Sequence, residues 1–482
     1  MYSFLLNLLL VINVISKLFT NHFNLLPRYF NIADIVIVLL FLFLFIIYRL
    51  KNHESMKVKN ILVFIFLFNI ILLIGMLLNY EYFYYKAAFS QVIMYNEPII
   101  LFIILVNLPF SINDIISFKK ILVLLLIIEF IFGILQFPLY LRTGDTEAIL
   151  GTFYHNAEQY AAFLMIGIFY LIGKMKILNN KITNIFLIFS ILILILFIDN
   201  KASWIGLGIS IYYILYRIGK LELSWIYSIK SIIFISIILL VGYSIVVISS
   251  STLYKYDNIV EAWNSDNFYN IGKLKAYKDI FSAYQNHNHM LLVGSGPATF
   301  YSRASRQYYY LSDDMFYNNP YASTGINNFK KDEDSYKPRE SNSMAGIIER
   351  TGHKPFFKEF YSNNKIYLIY SGTVDEPYSS YAALLGESGI LGTFLYLGIY
   401  IVVLKKLNLA IKKYQKDSFI FSLIVCSVGF LIYNMSISLY NNWLETGRMT
   451  TILWSMIAMV YKYDEVLSTK EVTIQVTIQQ NN

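Results

Sequence analysis

Hydrophobic residues along the chain are grouped into long runs that short polar stretches interrupt. The runs have lengths of roughly 17 to 22 residues, which a helix needs to cross a hydrocarbon core of about 30 Å. A helix satisfies its own backbone hydrogen bonds, so it is the expected conformation of such a run in lipid. The pattern predicts twelve transmembrane helices, at residues 3–20, 32–48, 61–79, 87–106, 120–137, 159–173, 183–198, 202–217, 231–249, 381–403, 418–439 and 447–462.

Composition supports a membrane protein. Of the 482 residues, 57% are hydrophobic and 15% are charged, against about 45–50% and about 25% in soluble domains. The formal net charge is +8, but membrane proteins collect Lys and Arg in cytoplasmic loops, so we expect no nucleic-acid partner. The sequence therefore predicts an all-α polytopic fold.

The distribution of cations between alternate loops predicts the orientation. Lys and Arg are frequent near 49–59, 119–120, 174–181, 217–230 and 405–416. The other connections hold only Arg28, Lys86, Arg142 and Lys201, with Lys17 and Arg448 at helix edges. Because cytoplasmic loops carry the excess of cations, both termini are expected in the cytoplasm.

This topology places one long segment outside the membrane, between the ninth and tenth predicted helices. A loop of about 130 residues is far longer than a simple connector. We expect it to be partly helical, because apolar residues recur at helical spacing within 271–284. The resulting organisation is helices one to nine in 1–249, the extracytoplasmic loop in 250–379, helices ten to twelve in 380–462 and a cytoplasmic tail in 463–482.

The cations predicted on the outer side are candidates for substrate binding. Lys201 lies in the tight turn IDNKASW between two predicted spans, and Arg142 follows another span. A lysine there either extends to lipid headgroups or binds the phosphates of a lipid-linked substrate, and the residues alone favour neither reading.

Acidic and histidine side chains supply candidates for proton transfer. Asp375 and Glu376 precede the tenth predicted helix, and Glu387 lies in its first turns. A carboxylate there could accept a proton from a sugar hydroxyl, although acids are also favoured at helix starts. His155 and His289 are expected on the same side; HNHM at 287–290 lacks a third ligand at a recognisable spacing, so no metal site is predicted.

Glu97 is an ionisable residue inside the fourth predicted span. Such groups usually face the interior of a helix bundle or a cavity. Two interpretations stay open, a residue that lines a pathway and a residue that bonds a neighbouring helix.

Two segments resemble the family of O-antigen polymerases and O-antigen ligases. GTFYHNAEQYAAFL at 151–164 is similar to the family's Gly-Thr-Phe and Pro-Asn helix start, with Asn156 at the Asn position and His155 in place of Pro. NKASWIGLG at 200–208 resembles its Ser-Arg-x-x-Trp-Leu-Gly turn, with Lys201 in place of Arg.

Two further segments carry the same resemblance. LLVGSGPATF at 291–300 is similar to the family's Gly-x-Gly-Pro-x-x-Phe segment, with Arg303 and Arg306 following. YSSYAALLGESGILG at 378–392 resembles its His-Asn-x-Tyr and Glu-x-Gly-x-x-Gly helix start. Here Tyr378 and Ser379 replace His and Asn, which are associated with the ligase branch, so the polymerase branch is favoured.

The resemblance implies an enzyme in a bacterial cytoplasmic membrane that polymerises undecaprenyl-pyrophosphate-linked repeat units into O-antigen or capsular polysaccharide. It implies no cofactor, and its partners would be membrane lipids with a chain-length regulator and a flippase of the same pathway. Arg142, Lys201, Arg303 and Arg306 would bind pyrophosphate, Asp375, Glu376 or Glu387 would act on the acceptor hydroxyl, and the secondary candidates are His155, Asn156, His289 and Tyr378.

Two alternatives remain. The first is ligase-type transfer of the glycan to a lipid, protein or glycan acceptor. The second is a flippase or transporter of lipid-linked sugar, which the few charges predicted within spans and the large loop disfavour.

Overall fold

The fold is given by a computed structural model. It describes residues 1–19, 33–53, 55–78, 85–143, 149–153, 156–175, 181–198, 201–219, 277, 280–281, 284–285, 288–299, 357–362, 365–370, 379–444 and 446–481.

Helices form most of the described chain. They are α1 (Tyr2–Lys17), α2 (Ala33–Asn52), α3 (Lys59–Leu78), α4 (Tyr85–Asn107), α5 (Ile112–Thr143), α6 (Ala157–Met175), α7 (Lys181–Leu196), α8 (Lys201–Arg217), α9 (Asn288–Val293), α10 (Ser380–Lys413), α11 (Ser418–Ile437) and α12 (Gly447–Asn481). Six of them, α2 to α5, α10 and α11, are long and apolar enough to cross a membrane, and α1 and α7 are apolar but shorter. The chain is thus a helical protein with several segments suited to a membrane.

All the predicted spans except the ninth coincide with a described helix. The ninth, 231–249, lies outside the described residues. The short helix α9 is not a predicted span, and α12 continues from its predicted span through 463–481, where we expected only a tail.

Two short strands, β1 (Phe357–Ser362) and β2 (Lys365–Tyr370), pair antiparallel within the segment predicted as a large loop. Ser362 pairs with Lys365, so two residues, Asn-Asn in the sequence, connect the strands. Two short runs rich in Phe, Tyr and Ile around such a connection are a hairpin signal. Strands of six residues are too short to show as helix-length apolar runs.

The interior of the bundle is built around α11. Of its apolar span 89% is buried, against 17% for α2 at the periphery. Small residues let neighbours approach α11 closely: a Cβ on Gly173 of α6 would lie 2.8 Å from the Ser422 Cα, and a Cβ on Gly206 of α8 would lie 3.0 Å from the Tyr433 ring. Contacts of this kind are typical of helix packing in membranes, where small residues allow backbones to come together.

The structure gathers cations from separate loops at one end of the bundle, which we call the cationic end. Lys57 forms an ion pair with Glu465 at 2.5 Å, and Lys413 pairs with the adjacent Asp464 at 2.8 Å. Lys119 donates to the Phe419 carbonyl at the start of α11. These lysines come from connections predicted to share one side of the membrane, and they do lie together.

Candidate functional site

The segment 291–299 is seated on α10 through backbone contacts. The N–H groups of Ser295 and Gly296 donate to the carbonyls of Gly386 and Glu387, both at 3.0 Å. The helix is interrupted at this point, because Gly389 has a φ of 63°. The third and fourth segments of the resemblance, far apart in sequence, are therefore in direct contact.

Glycine is required on both sides of this contact. A Cβ on Gly389 would lie 2.5 Å from the Leu292 carbonyl carbon, and a Cβ on Gly294 would overlap the Glu387 backbone. Gly294 and Gly296 have φ values of 72° and 101°, a region that side chains other than hydrogen disfavour. The seat thus depends on positions where a side chain would both clash and strain the backbone.

Glu387 lies beneath this seat and is fully buried. Its Oε2 accepts a hydrogen bond from the Tyr95 hydroxyl of α4 at 3.1 Å. The Tyr396 hydroxyl donates to the Tyr95 carbonyl at 3.2 Å, and the two rings pack at 5.7 Å. The carboxylate is held between α4 and α10, so contact with a sugar hydroxyl would require the elements that cover it to move.

Tyr277, Ile280 and Tyr284 place the predicted amphipathic segment against the start of α10. Ile280 packs with Ala382 and Ala383, and the Tyr284 hydroxyl donates to the Leu385 carbonyl at 2.7 Å. The described residues of this segment are helical, as predicted. Phe281, another apolar residue of this segment, is 59% exposed.

Ser379 caps α10 at the position where the family has Asn. Its hydroxyl accepts from the Ala382 N–H at 3.3 Å and lies 2.8 Å from the Tyr277 hydroxyl. It also donates to the Ser438 carbonyl at 3.0 Å, at the end of α11. The serine at this position therefore joins three elements: the start of α10, the end of α11 and the segment that carries Tyr277.

Three helices begin around the turn that follows α11. Asn441 of this turn donates from its amide to Glu158 of α6 at 3.1 Å and accepts from the Ser380 N–H of α10 at 3.2 Å. The Ser203 hydroxyl of α8 lies 2.6 Å from the Tyr433 hydroxyl of α11. We call Glu158, Ser203, Ser380 and Asn441 the platform. Helix starts carry partial positive charge and unpaired N–H groups, which favour anions.

Glu129 and Gln136 hold the Gly-Thr-Phe segment of the resemblance, and the sequence analysis missed them. The Glu129 carboxylate accepts from the N–H of Thr152 at 2.9 Å and also from its hydroxyl. The Gln136 amide accepts from the Gly151 N–H at 2.7 Å and donates to the Gly151 carbonyl at 2.9 Å. The two polar residues lie seven apart in an apolar helix, a spacing that places both on one face and could have identified them.

Arg142 and Lys201 lie at the same end of the bundle as the platform. Arg142 is exposed in the last turn of α5, and Lys201 begins α8. Phe137 and Tyr140 of α5 pack against Phe197 at the end of α7, with ring centroids 4.9 and 5.2 Å apart. The last turns of α5, which carry Arg142, therefore lie beside Phe197, four residues before Lys201 in the sequence.

The remaining candidates have other positions. Asn156 caps α6 by accepting from the Gln159 N–H at 2.9 Å, and His289 is exposed on α9. No group of three or more potential metal ligands occurs among the described residues. The candidates outside the described residues are His155, Arg303, Arg306, Asp375, Glu376 and Tyr378.

Glu97 belongs to a group of ionisable side chains between α2, α4 and α12. Arg448 in the first turn of α12 attracts Asp34 in the first turn of α2, and Asp34 in turn repels Glu97. All three side chains are only partly exposed. Glu97 thus interacts with charges on neighbouring helices.

A cavity of about 530 Å³ lies between α3 and α4, next to Pro297 of the seated segment. Its walls are largely apolar, with Leu72 and Met76 from α3 and Phe89 and Val92 from α4. Apolar cavities of a few hundred cubic ångströms are typical of small-molecule and lipid sites.

No protein-family model matches the chain, and a search of curated proteins finds no significant match.

Proposed function

We propose that the chain is a membrane glycosyltransferase that extends a glycan on its undecaprenyl pyrophosphate carrier, at the end of the bundle where the platform lies. The observation that carries this proposal is the meeting of the starts of α6 and α10 at Asn441, with the start of α8 bonded to Tyr433 of α11, at the end that also holds Arg142 and Lys201. This end would face outward, since the cationic end lies opposite and cations mark the cytoplasmic side.

The chemistry of the donor requires a site that stabilises negative charge. Breaking the bond between the sugar and the pyrophosphate leaves negative charge on the phosphate oxygens. Helix starts and fixed cations stabilise that charge in the transition state. Lys201 would act as a point charge rather than a bidentate partner, and Arg303 and Arg306 remain proposed contributors.

The acceptor side of the reaction is assigned to residues just before α10. Asp375 and Glu376 precede Ser380, the first residue of α10, by five and four positions. One of them would accept the proton of the attacking hydroxyl. Glu387 is assigned a positioning role, because its buried carboxylate links α10 to α4 through Tyr95.

The apolar cavity next to Pro297 offers a place for the lipid part of the substrate. Its walls from α3 and α4 are apolar enough for a prenyl chain. The 291–299 segment would then connect the lipid site with the interrupted turn of α10.

Deletion of the gene and examination of surface polysaccharide test this function. A polymerase predicts single repeat units and loss of long chains. Long chains left on the lipid carrier would instead identify the ligase alternative, with a lipid, protein or other glycan as acceptor. Unchanged surface glycan would contradict both.

A transporter or flippase of lipid-linked sugar is the second candidate. The group of Asp34, Glu97 and Arg448 favours it, since ionisable residues among membrane helices often mark substrate pathways. A flippase predicts that lipid-linked repeats in the deletion strain stay inaccessible to a sugar-binding lectin added outside. A polymerase predicts that the same repeats are accessible.

Variants at the two cations test the site itself. We expect Arg142→Ala and Lys201→Ala to abolish chain extension at normal protein level, because each removes a charge that stabilises the leaving group. Lys120→Ala, an exposed lysine of α5 at the opposite end, is the matched control. Polymer of normal length in both site variants would remove them from the site.

A further inference from the structure

A groove between the last turns of α10 and the adjoining part of α12 combines apolar walls with lysines. The cavity measures about 760 Å³, and its wall includes Lys405, Lys406, Lys412 and Lys413 together with a single acid, Asp464. We call it the lysine groove. It lies at the cationic end, away from the platform, and the proposed glycosyl transfer makes no use of it.

Two of the four lysines have partners inside the groove. Lys413 donates to Asp464 at 2.8 Å, and Lys406 stands 4.2 Å above the ring of Tyr461. Lys405 and Lys412 are exposed and form no ion pair within the described residues. Seven residues separate them, which is about two turns, so they lie on the same face of α10.

An exposed apolar stripe leads along α10 to these two lysines. Leu391, Phe394 and Ile401 are 44%, 71% and 48% exposed. Successive positions in this stripe are three and seven residues apart. Lys405 follows Ile401 by four residues, and Lys412 follows Lys405 by seven. These are helical spacings, so the five positions share one helix face. The stripe is apolar along the membrane-spanning part of α10 and becomes cationic at its end.

We propose that the lysine groove binds an anionic phospholipid, with the phosphate at Lys405 and Lys412 and an acyl chain along the stripe. The charge fits an anionic headgroup, since one acid faces four lysines. The length of apolar surface fits an acyl chain, which a free phosphate or a nucleotide lacks. Basic pockets between membrane helices bind anionic lipid headgroups by this combination.

Lipid titration of the purified full-length chain in detergent tests the proposal. Phosphatidylglycerol and phosphatidylcholine are added separately, and bound lipid is counted by native mass spectrometry. We expect the wild type to retain phosphatidylglycerol preferentially. Lys405→Gln together with Lys412→Gln should weaken that binding roughly thirtyfold, at about fivefold per lysine near an anionic surface.

The control carries the same loss of charge elsewhere at this end. Lys51→Gln together with Lys59→Gln changes two exposed lysines outside the groove and should leave binding unchanged. Equal retention by both double variants would overturn the proposal. Equal retention of the two lipids by the wild type would overturn it too, and so would displacement of phosphatidylglycerol by millimolar inorganic phosphate.

Discussion

The two ends of the helix bundle are held together by different interactions. At the platform end, buried hydroxyl groups form the hydrogen bonds: Ser380 accepts from the Leu444 N–H, and Ser203 lies 2.6 Å from the Tyr433 hydroxyl. The contact of Asn441 with Glu158 lies at the surface of this end. At the cationic end, ion pairs are partly exposed: the side chains of Lys413 and Asp464 are 44% and 28% exposed. Buried hydrogen bonds have fixed geometry and are costly to leave unmade, whereas exposed ion pairs contribute little.

Because of this difference, contacts at the platform end have a fixed geometry, whereas contacts at the cationic end can rearrange. The platform end, with the seat of 291–299 on α10, has the fixed geometry that the proposed glycosyl transfer would need. The cationic end keeps charges that can exchange partners, which suits contact with lipid headgroups. Substitutions should therefore cost far more at the first end than at the second.

The largest effect is expected from Gly389→Ala. The added Cβ would lie 2.5 Å from the Leu292 carbonyl carbon, at a φ of 63°. Left-handed backbone costs about 1–2 kcal/mol for a residue with a side chain, and overpacking adds about 1–3 kcal/mol. We expect loss of most folded protein, measured by fluorescence-detected size-exclusion chromatography after detergent extraction.

Gly208→Ala is the matched control for this substitution. Gly208 lies in α8, and a Cβ there would meet nothing within 4 Å. Alanine favours helix over glycine by about 1 kcal/mol, so this variant should elute as wild type or better. Equal yields from the two variants would show that the seat of 291–299 on α10 is not rigid.

A smaller effect is expected from Thr152→Val, which removes the hydroxyl that lies between the Glu129 carboxylate and the Val14 carbonyl and shares its one hydrogen with these two acceptors. The carboxylate then lacks one buried donor, at a cost of about 1–3 kcal/mol. Thermal unfolding in detergent should shift to lower temperature. Thr152→Ser keeps the hydroxyl and should unfold near the wild-type temperature; identical shifts for both variants would remove this hydrogen bond as the cause.

The smallest effect, and a pH dependence, is expected at the cationic end. Burial alone would raise the pKa of Asp464, but hydrogen bonds from Lys413 and Tyr414 outweigh it and hold the pKa below its ordinary value of 3.8. Burial would likewise raise the pKa of Glu465, but the contacts with Lys57 and Lys462 outweigh burial and hold this pKa below its ordinary value of 4.5. A lowered folded-state pKa stabilises the fold above the ordinary pKa, and this contribution is lost as pH falls through the folded-state value.

Asp464→Asn together with Glu465→Gln tests this contribution. At pH 7 we expect the double variant to be less stable than wild type, and the loss of each ion pair should cost less than about 1 kcal/mol. The difference should shrink as the pH is lowered below 4, because the wild-type carboxylates then become neutral too. A difference in unfolding temperature that stays constant from pH 7 to pH 3 would contradict the ion-pair explanation.

Much of the helical architecture follows from the sequence, because lipid forces apolar runs into helices and fixes their length. The separation of cations to one end also follows, as the contacts of Lys57 and Lys413 show. The contact between the third and fourth segments does not follow from a single sequence, because they are far apart along the chain.

Other features depend on tertiary contacts that hydropathy does not record. The interruption at Gly389 exists because the 291–299 segment occupies space beside it, so 381–403 reads as one uninterrupted span. Glu129 is hidden in an apolar run, and its role appears only when Thr152 is placed above it. Glu387 looks accessible from its place in the sequence, but packing of α3, α4 and α9 around α10 buries it.

Chain extension by the purified protein is the most direct test of the central claim, that sugar transfer occurs at the platform end. The wild type, Lys201→Ala and Lys120→Ala are placed in nanodiscs with undecaprenyl-pyrophosphate-linked oligosaccharide, and glycan length is followed on gels. We expect a ladder of longer lipid-linked glycans with wild type and Lys120→Ala, and single repeats with Lys201→Ala. A ladder of the same length from Lys201→Ala, or none from the wild type, would contradict it.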